Sequence, residues 1–168
     1  VIDLKEETAR QTVEAIVGNG GSALAKGVNI TNEDAVNSLV SELVTDWGQV
    51  DILCNNAGIA DNMCSPAAMS TAMWNSVIGV NLTGQFFVTR AVLPHMIARK
   101  SGSIINTASP AGMRGAAGGL AYTSSKHAMV GFTKHIAWFY AADGIRCNAV
   151  CPGSTATSRR PSGSRRSS

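Results

Sequence analysis

Short apolar runs alternate with longer amphipathic segments along this chain. Residues 1–3 read as the end of a strand. From residue 6 to 18, Ala9, Val13, Ile16 and Val17 recur at helical spacing, and the glycines at 18, 20 and 21 end the segment. Residues 22–30 read as a short strand with its following turn. A helix then begins at Thr31, with a stripe of Val36, Leu39, Val40, Leu43, Val44 and Trp47. Thr31 and Asp34 have the spacing of a capping box, Asp standing in for the commoner Glu. Residues 50–54 predict a buried strand, followed by the turn-rich Asn55-Asn56-Ala57-Gly58. Trp74, Val77, Ile78, Leu82 and Phe86 predict the core-facing side of a long helix over 71–99, which Pro94 should kink or end. A strand over 103–107, a Gly/Ala-rich loop to Leu120, a helix over 121–142 closed by Gly144 and a strand over 145–150 follow. After Pro152-Gly153 the pattern dissolves into Ser, Arg, Gly and Pro. Residues 158–168 are therefore expected to be a disordered basic tail behind a domain spanning 1–157.

Strands separated by helices imply a parallel sheet with right-handed crossovers, an α/β doubly wound layer of Rossmann type. Ligands of such sheets bind beyond the carboxyl ends of the strands. The residues to read for chemistry are therefore Asp3, Asn29 and Ile30, residues 55–58, Ala108 and Ser109, and Pro152 and Gly153.

Composition narrows the possibilities. At 168 residues the chain is the size of one domain. Only 5% of it is aromatic, which argues against a surface that stacks bases. The reading finds no stretch approaching a membrane span and no signal peptide at the start, so no membrane partner is expected. Four of the fourteen cations, Arg159, Arg160, Arg165 and Arg166, lie in the last ten residues. Without them the body is close to neutral, and no nucleic-acid partner is expected. Cys54, Cys64, Cys147 and Cys151 form neither a C-x-x-C pair nor a zinc-ligand spacing, so no metal is expected. Cys54 and Cys147 sit in apolar strand-like runs as small hydrophobes. The simplest setting is a reduced, cytoplasmic one.

Tyr122 and Lys126 are one helical turn apart and share a face. A free phenol is a poor base at neutral pH. An ammonium roughly 5 Å away, at an effective dielectric of about 20, favours the phenolate by about 3 kcal/mol, enough for acid–base work. Ser109 ends a strand thirteen residues before Tyr122, where its hydroxyl could bond a substrate carbonyl or alcohol. Asn81 falls on the apolar stripe of the long helix, where a buried amide requires partners.

Taken with N-N-A-G at 55–58, V-N-L-T-G around Asn81, I-I-N-T-A-S-P-A-G around Ser109, A-Y-T-S-S-K at 121–126 and N-A-V-C-P-G at 148–153, the chain resembles the short-chain dehydrogenase/reductase family. Its nearest likeness is to the group of 3-oxoacyl-carrier reductases and glucose dehydrogenases. The resemblance implies a nicotinamide-dependent oxidoreductase interconverting a secondary alcohol and a ketone. Tyr122 would be the general acid/base, Lys126 its electrostatic partner and a ribose ligand, and Ser109 the residue that orients the substrate oxygen. Asn81 would anchor the water of a proton relay. Asn56, Ala57 and Gly58 would line the cofactor, Asn29 and Ile30 would border adenine, and Pro152, Gly153, Thr155 and Thr157 would touch the carboxamide. Asp3 would accept bonds from the adenine-ribose hydroxyls and repel a 2′-phosphate, favouring NAD over NADP. In the family, the helices carrying Asn81 and Tyr122 pack against a partner subunit, so a homodimer or homotetramer is expected.

Compared with the family, the first strand with its Gly-rich turn and the last strand are missing. The resemblance therefore predicts an incomplete sheet whose two parts are not joined. A competing reading is a non-catalytic fragment or scaffold that has lost cofactor binding. A sugar-nucleotide epimerase would share Tyr-x-x-x-Lys, but N-N-A-G, V-N-L-T-G and the Ser109 spacing disfavour it.

Overall fold

Two parallel sheets carry the fold in the computed structural model, which describes residues 1–155. In the first, β1 (Ile2–Asp3) pairs with β2 (Lys26–Gly27). In the second, β3 (Ile52–Asn55), β4 (Gly102–Thr107) and β5 (Ile145–Val150) lie in that order, with Ile52 opposite Ser103 and Gly102 opposite Ile145. Among the described residues no ladder joins the two sheets, as the incomplete pattern predicts. The helices are α1 (Glu6–Gly18), α2 (Glu33–Trp47), α3 (Thr71–Ile78), α4 (Gln85–Arg99) and α5 (Leu120–Phe139).

The core lies where α2, α4 and α5 meet the three-stranded sheet. Val40, Val92, Leu93, Met96, Ile104, Ile136, Ile145 and Cys147 form its buried cluster. Burial alternates along β5: Ile145 and Cys147 are buried, Arg146 and Asn148 exposed. One face of the sheet therefore carries the core, as period-2 strand geometry dictates. Residues such as Ile104 and Met96, fully shielded from water, each contribute roughly 1.5–3 kcal/mol by burial.

Several local expectations change. The strand predicted over 22–30 shrinks to the Lys26–Gly27 pair. Thr31 does not cap α2: the Asn29 side chain accepts from both its N–H and its hydroxyl, and Asn32 caps instead, its Oδ1 accepting from Ala35 N at 3.1 Å. The long helix spans 71–99 but holds a π-helical segment, Gly79–Gly84, between α3 and α4. Pro94 does not end α4, which runs on to Arg99; the imide sits on the exposed side, where the carbonyl left without a donor can turn to solvent. By length and composition this 71–99 segment is apolar enough to cross a membrane, contrary to the expectation. In the fold it is a core helix, burying Val77, Val88, Val92, Leu93 and Met96. Phe86, expected in the core, is exposed on α4. Cys54 is exposed with Ile52, because both point to the uncovered face of β3.

Candidate active site

Helix α5 carries Tyr122 in its first turn and Lys126 one turn later, on the face turned toward β4. The stem of Lys126 is buried, only 5% of the residue being exposed. Its Nζ donates to the Thr107 carbonyl, at the end of β4, at 2.7 Å and lies 5.6 Å from the centre of the Tyr122 ring. Burial pushes the ammonium's pKa down from its ordinary value, opposed by the nearby Cys151 sulfur. An ammonium has three donors. One is taken by Thr107, leaving two for ligands among the described residues.

The loop after β3 is fixed from below. Asn55 is buried and donates to Thr89 Oγ1 and to Asn106 Oδ1, each at 2.9 Å. Asn106, fully buried on β4, donates to Thr133 Oγ1 at 2.8 Å and to Cys147 Sγ at 3.4 Å. This amide chain ties β3, β4, α4, α5 and β5 together beneath the site, and every member has a partner, as a buried polar network requires. Above it, Asn56 Oδ1 accepts from Thr107 Oγ1 at 3.0 Å, and the Ala57 carbonyl accepts from Gln85 Nε2 at 2.5 Å.

Asn81 lies in the π-helical segment, a feature that recurs at functional sites. Its Oδ1 accepts from Ile59 N at 2.8 Å; its Nδ2 donates to the Ile59 carbonyl at 2.9 Å and to Ser125 Oγ at 3.0 Å. Both N–H groups are thus spent on protein. The side chain docks the 55–59 loop onto α5. Gly58 lies against the same groups: a Cβ there would stand 3.4 Å from Asn81 Oδ1 and 3.6 Å from Lys126 Nζ.

Ser109 follows β4 and is buried. Its Oγ accepts from Ala111 N at 3.2 Å, capping the single 3-10 turn Pro110–Gly112. Because the oxygen acts as acceptor there, the hydroxyl hydrogen is available to a ligand. That turn packs on α5 so closely that a Cβ on Gly112 would overlap the backbone at Lys126. Ser109, Lys126 and Asn56 therefore converge around the end of β4.

The other residues expected to meet the cofactor lie on β1, after β2 and beyond β5. Asp3 ends β1, its Oδ1 accepting from Lys5 N at 3.1 Å. Asn29 is occupied with Thr31. Ile30 reaches the π-helical segment, where a Cβ on Gly84 would overlap its side chain. Pro152, Gly153 and Thr155 are exposed beyond β5, with Thr155 Oγ1 donating to the Gly153 carbonyl at 3.3 Å. Thr157 and the expected tail lie outside the described residues.

Sequence reading passes over Asp61, Gln85, Thr107 and Ser125. Gln85 and Ser125 could have been found by helical offset, four residues after Asn81 and three after Tyr122. Asp61 carries a different signal: it is the only acidic residue between Asp51 and Asp143.

Comparison with known proteins agrees with this geometry. Residues 1–166 match the family model described as short chain dehydrogenase. The chain is 42% identical to 3beta-hydroxysteroid dehydrogenase 2 of Eggerthella lenta over 156 residues, 92% of this chain and 60% of that protein. It is 41% identical to a 3-oxoacyl-[acyl-carrier-protein] reductase of Synechocystis over 154 residues, 91% of this chain and 62% of that protein. Among solved structures, NAD+-bound xylitol dehydrogenase superposes with a TM-score of 0.85 at 34% identity, covering 90% of this chain and 58% of that one. The chain thus spans about three fifths of the length of these relatives. On its sequence, its fold and the arrangement around Lys126, the chain belongs to the short-chain dehydrogenase family.

Proposed function

We propose that this protein is an NAD-dependent oxidoreductase that interconverts a secondary alcohol and a ketone, with Tyr122 as general acid/base. The observation that carries this reading is the setting of Lys126: its ammonium stands 5.6 Å from the Tyr122 ring, anchored by Thr107 and bordered by Gly58, with two donors to spare.

The residues fit a nicotinamide nucleoside. The spare Lys126 donors suit ribose hydroxyls, and Gly58 leaves room for close approach beside them. Asn56, Ala57 and Gly58 would line it, with Pro152, Gly153 and Thr155 on the β5 side. Nicotinamide, when bound, supplies the hydride acceptor or donor. In the oxidation direction the Tyr122 phenolate accepts the proton of the substrate hydroxyl. Lys126 stabilises that phenolate by its charge, more strongly in a site closed to water. The Ser109 hydroxyl, free to donate, holds the substrate oxygen and stabilises the charge that develops on it. In the reverse direction Tyr122 returns the proton to that oxygen.

Asp3, at the end of β1, supports NAD over NADP, since a carboxylate there repels a 2′-phosphate; titration with both cofactors measures the preference. The same reading assigns the outer face of α4 and α5 to a second copy of the chain, as a homodimer or homotetramer. Trp138 and Phe139 are exposed there beside a groove of about 450 Å³ lined by Phe86, Leu93, Phe132 and Ile136, and sedimentation velocity reads the outcome. We place the protein in the cytoplasm; fractionation checks this.

The central test is a panel of alcohols and ketones followed by NADH absorbance, with Tyr122→Phe as control. Loss of the phenol oxygen should lower kcat by about 10²–10⁴-fold. Undiminished turnover in Tyr122→Phe would remove the assignment and favour a non-catalytic scaffold or another base.

A further inference from the structure

Asp61 is 98% buried yet belongs to no part of the chemistry above. Its Oδ2 accepts from the main-chain N–H of Tyr122 at 3.0 Å, across 61 residues of sequence. Helix α5 has Gly119 at its N-cap, which offers no side chain to the unsatisfied N–H groups of the first turn. The Asp61 carboxylate takes that place from the loop that follows β3. Its seat is tightly cut, because a Cβ on Gly119 would overlap the carboxylate. Its Oδ1 is buried without a hydrogen-bond partner among the described residues, so the group is held there at a cost.

The loop is strained to keep it there. Asn62 and Met63, the next two residues, both have positive φ, 51° and 60°. Non-glycine residues adopt this conformation rarely, and adjacent pairs persist only where the surroundings enforce them. The Asp61 carbonyl accepts from Cys64 N at 3.0 Å and closes that turn.

The other polar group of the Tyr122 main chain is tied to the same loop. Its carbonyl accepts from Ser125 Oγ at 2.7 Å; Ser125 accepts from Asn81, and Asn81 pairs with both backbone groups of Ile59. Residues 59 and 61 thus hold the N–H and the C=O of Tyr122 from two sides. Residues 56–58, immediately before them, are those assigned to the cofactor.

We propose that Asp61 is a positioning residue for Tyr122, the clamp by which the cofactor-lining loop sets where the phenol stands. The inference rests on the assignment of Tyr122 as the acid/base. A phenol must meet the substrate oxygen within hydrogen-bond reach, and a displacement of about 1 Å can cost on the order of 10²-fold in rate. Asp61 touches neither substrate nor cofactor; its effect on turnover passes through the Tyr122 main chain.

The test compares Asp61→Ala, Asp61→Asn and Tyr122→Phe in steady-state kinetics with NAD and a turned-over alcohol. Asp61→Ala should lower kcat by about 10- to 100-fold with KM for NAD changed by less than about twofold. Asp61→Asn keeps an acceptor oxygen for Tyr122 N and should recover kcat to within about threefold of the parent. Hydrogen exchange at the Tyr122 amide should accelerate in Asp61→Ala and not in Asp61→Asn. Should Asp61→Ala fail to fold, Gly119→Ala displaces the carboxylate with Asp61 retained, and the same fall in kcat is expected. The proposal is overturned by full kcat in the folded Asp61→Ala or Gly119→Ala protein, by an Asp61→Asn as slow as Asp61→Ala, or by a loss that falls on KM for NAD. An active Tyr122→Phe overturns the acid/base assignment itself; an inactive Tyr122→Phe beside a fully active Asp61→Ala overturns only the clamp.

Discussion

In the β3–β4–β5 sheet each strand pair is locked twice, by its ladder and by a side-chain bond, Asn55 to Asn106 between β3 and β4 and Asn106 to Cys147 between β4 and β5. The β1–β2 sheet has two residues per strand, no buried amide among its four residues, and Ile2, Val1 and Leu4 exposed around it. The sheet packs on α1, and its Lys26 pairs with Glu42 of α2 at the surface; such surface pairs contribute little, about 0–1 kcal/mol. The difference separates two tasks. The proposed acid–base chemistry needs groups fixed to a fraction of an ångström, and α5 holds them against the doubly locked sheet. Recognition of the adenine end, as proposed, needs a carboxylate in about the right place, and Asp3 stands on the lightly built sheet.

The contrast can be pressed hardest at Asn106. Asn106→Leu removes the acceptor of Asn55 and a donor to Thr133 inside the core. Unsatisfied buried groups cost about 1–3 kcal/mol each, so a loss of about 3 kcal/mol is expected in urea unfolding. A loss below about 1 kcal/mol would mean the chain of amides is ornamental to the fold.

The cysteines give a gentler probe of the same sheet. Cys54, exposed on β3, should react with a thiol reagent in the native protein, and Cys147, buried under the Asn106 amide, only as the fold opens. Burial pushes the Cys147 thiol up from 9.0 to about 11. The unfolded chain therefore gives up a proton that the folded one keeps, and this contribution, whole below pH 9.0, is lost as pH rises through about 11. Unfolding midpoints that do not move across that interval in a Cys147→Ala comparison would contradict it.

The smallest effect belongs to the other sheet. Ile2→Ala, at a position 38% exposed, should cost less than about 1 kcal/mol and leave the exchange protection of β4 amides unaltered. A global loss of stability from this substitution would erase the distinction between the two sheets.

What could be read from the chain follows the range of the interactions. Helix α1 was legible to its ends, since Ala9, Val13 and the closing glycines are local signals. So was the pairing of Tyr122 with Lys126, because an i, i+4 offset on a helix is geometry that sequence carries directly. The exposure of Ile52 and Cys54 was hidden: Ile-Leu-Cys is apolar throughout, and alternation cannot be seen in a run without polar residues. The cap of α2 moved because Asn29 engages both the N–H and the hydroxyl of Thr31, and Asn32 accepts from Ala35 N in its place. Asp61 was out of reach for a plainer reason: its partner lies 61 residues away, and no pattern of short period reports such a meeting.

The π-helical segment between α3 and α4 makes the chain sensitive to length in a way that composition does not disclose. Removing any one residue from 79–84 lets the helix close into continuous α form, and everything beyond turns by about 100°. Val77 and Met96 could then no longer face the core while Asn81 faces the 55–59 loop. Along this stretch the gene can exchange letters far more freely than it can lose one.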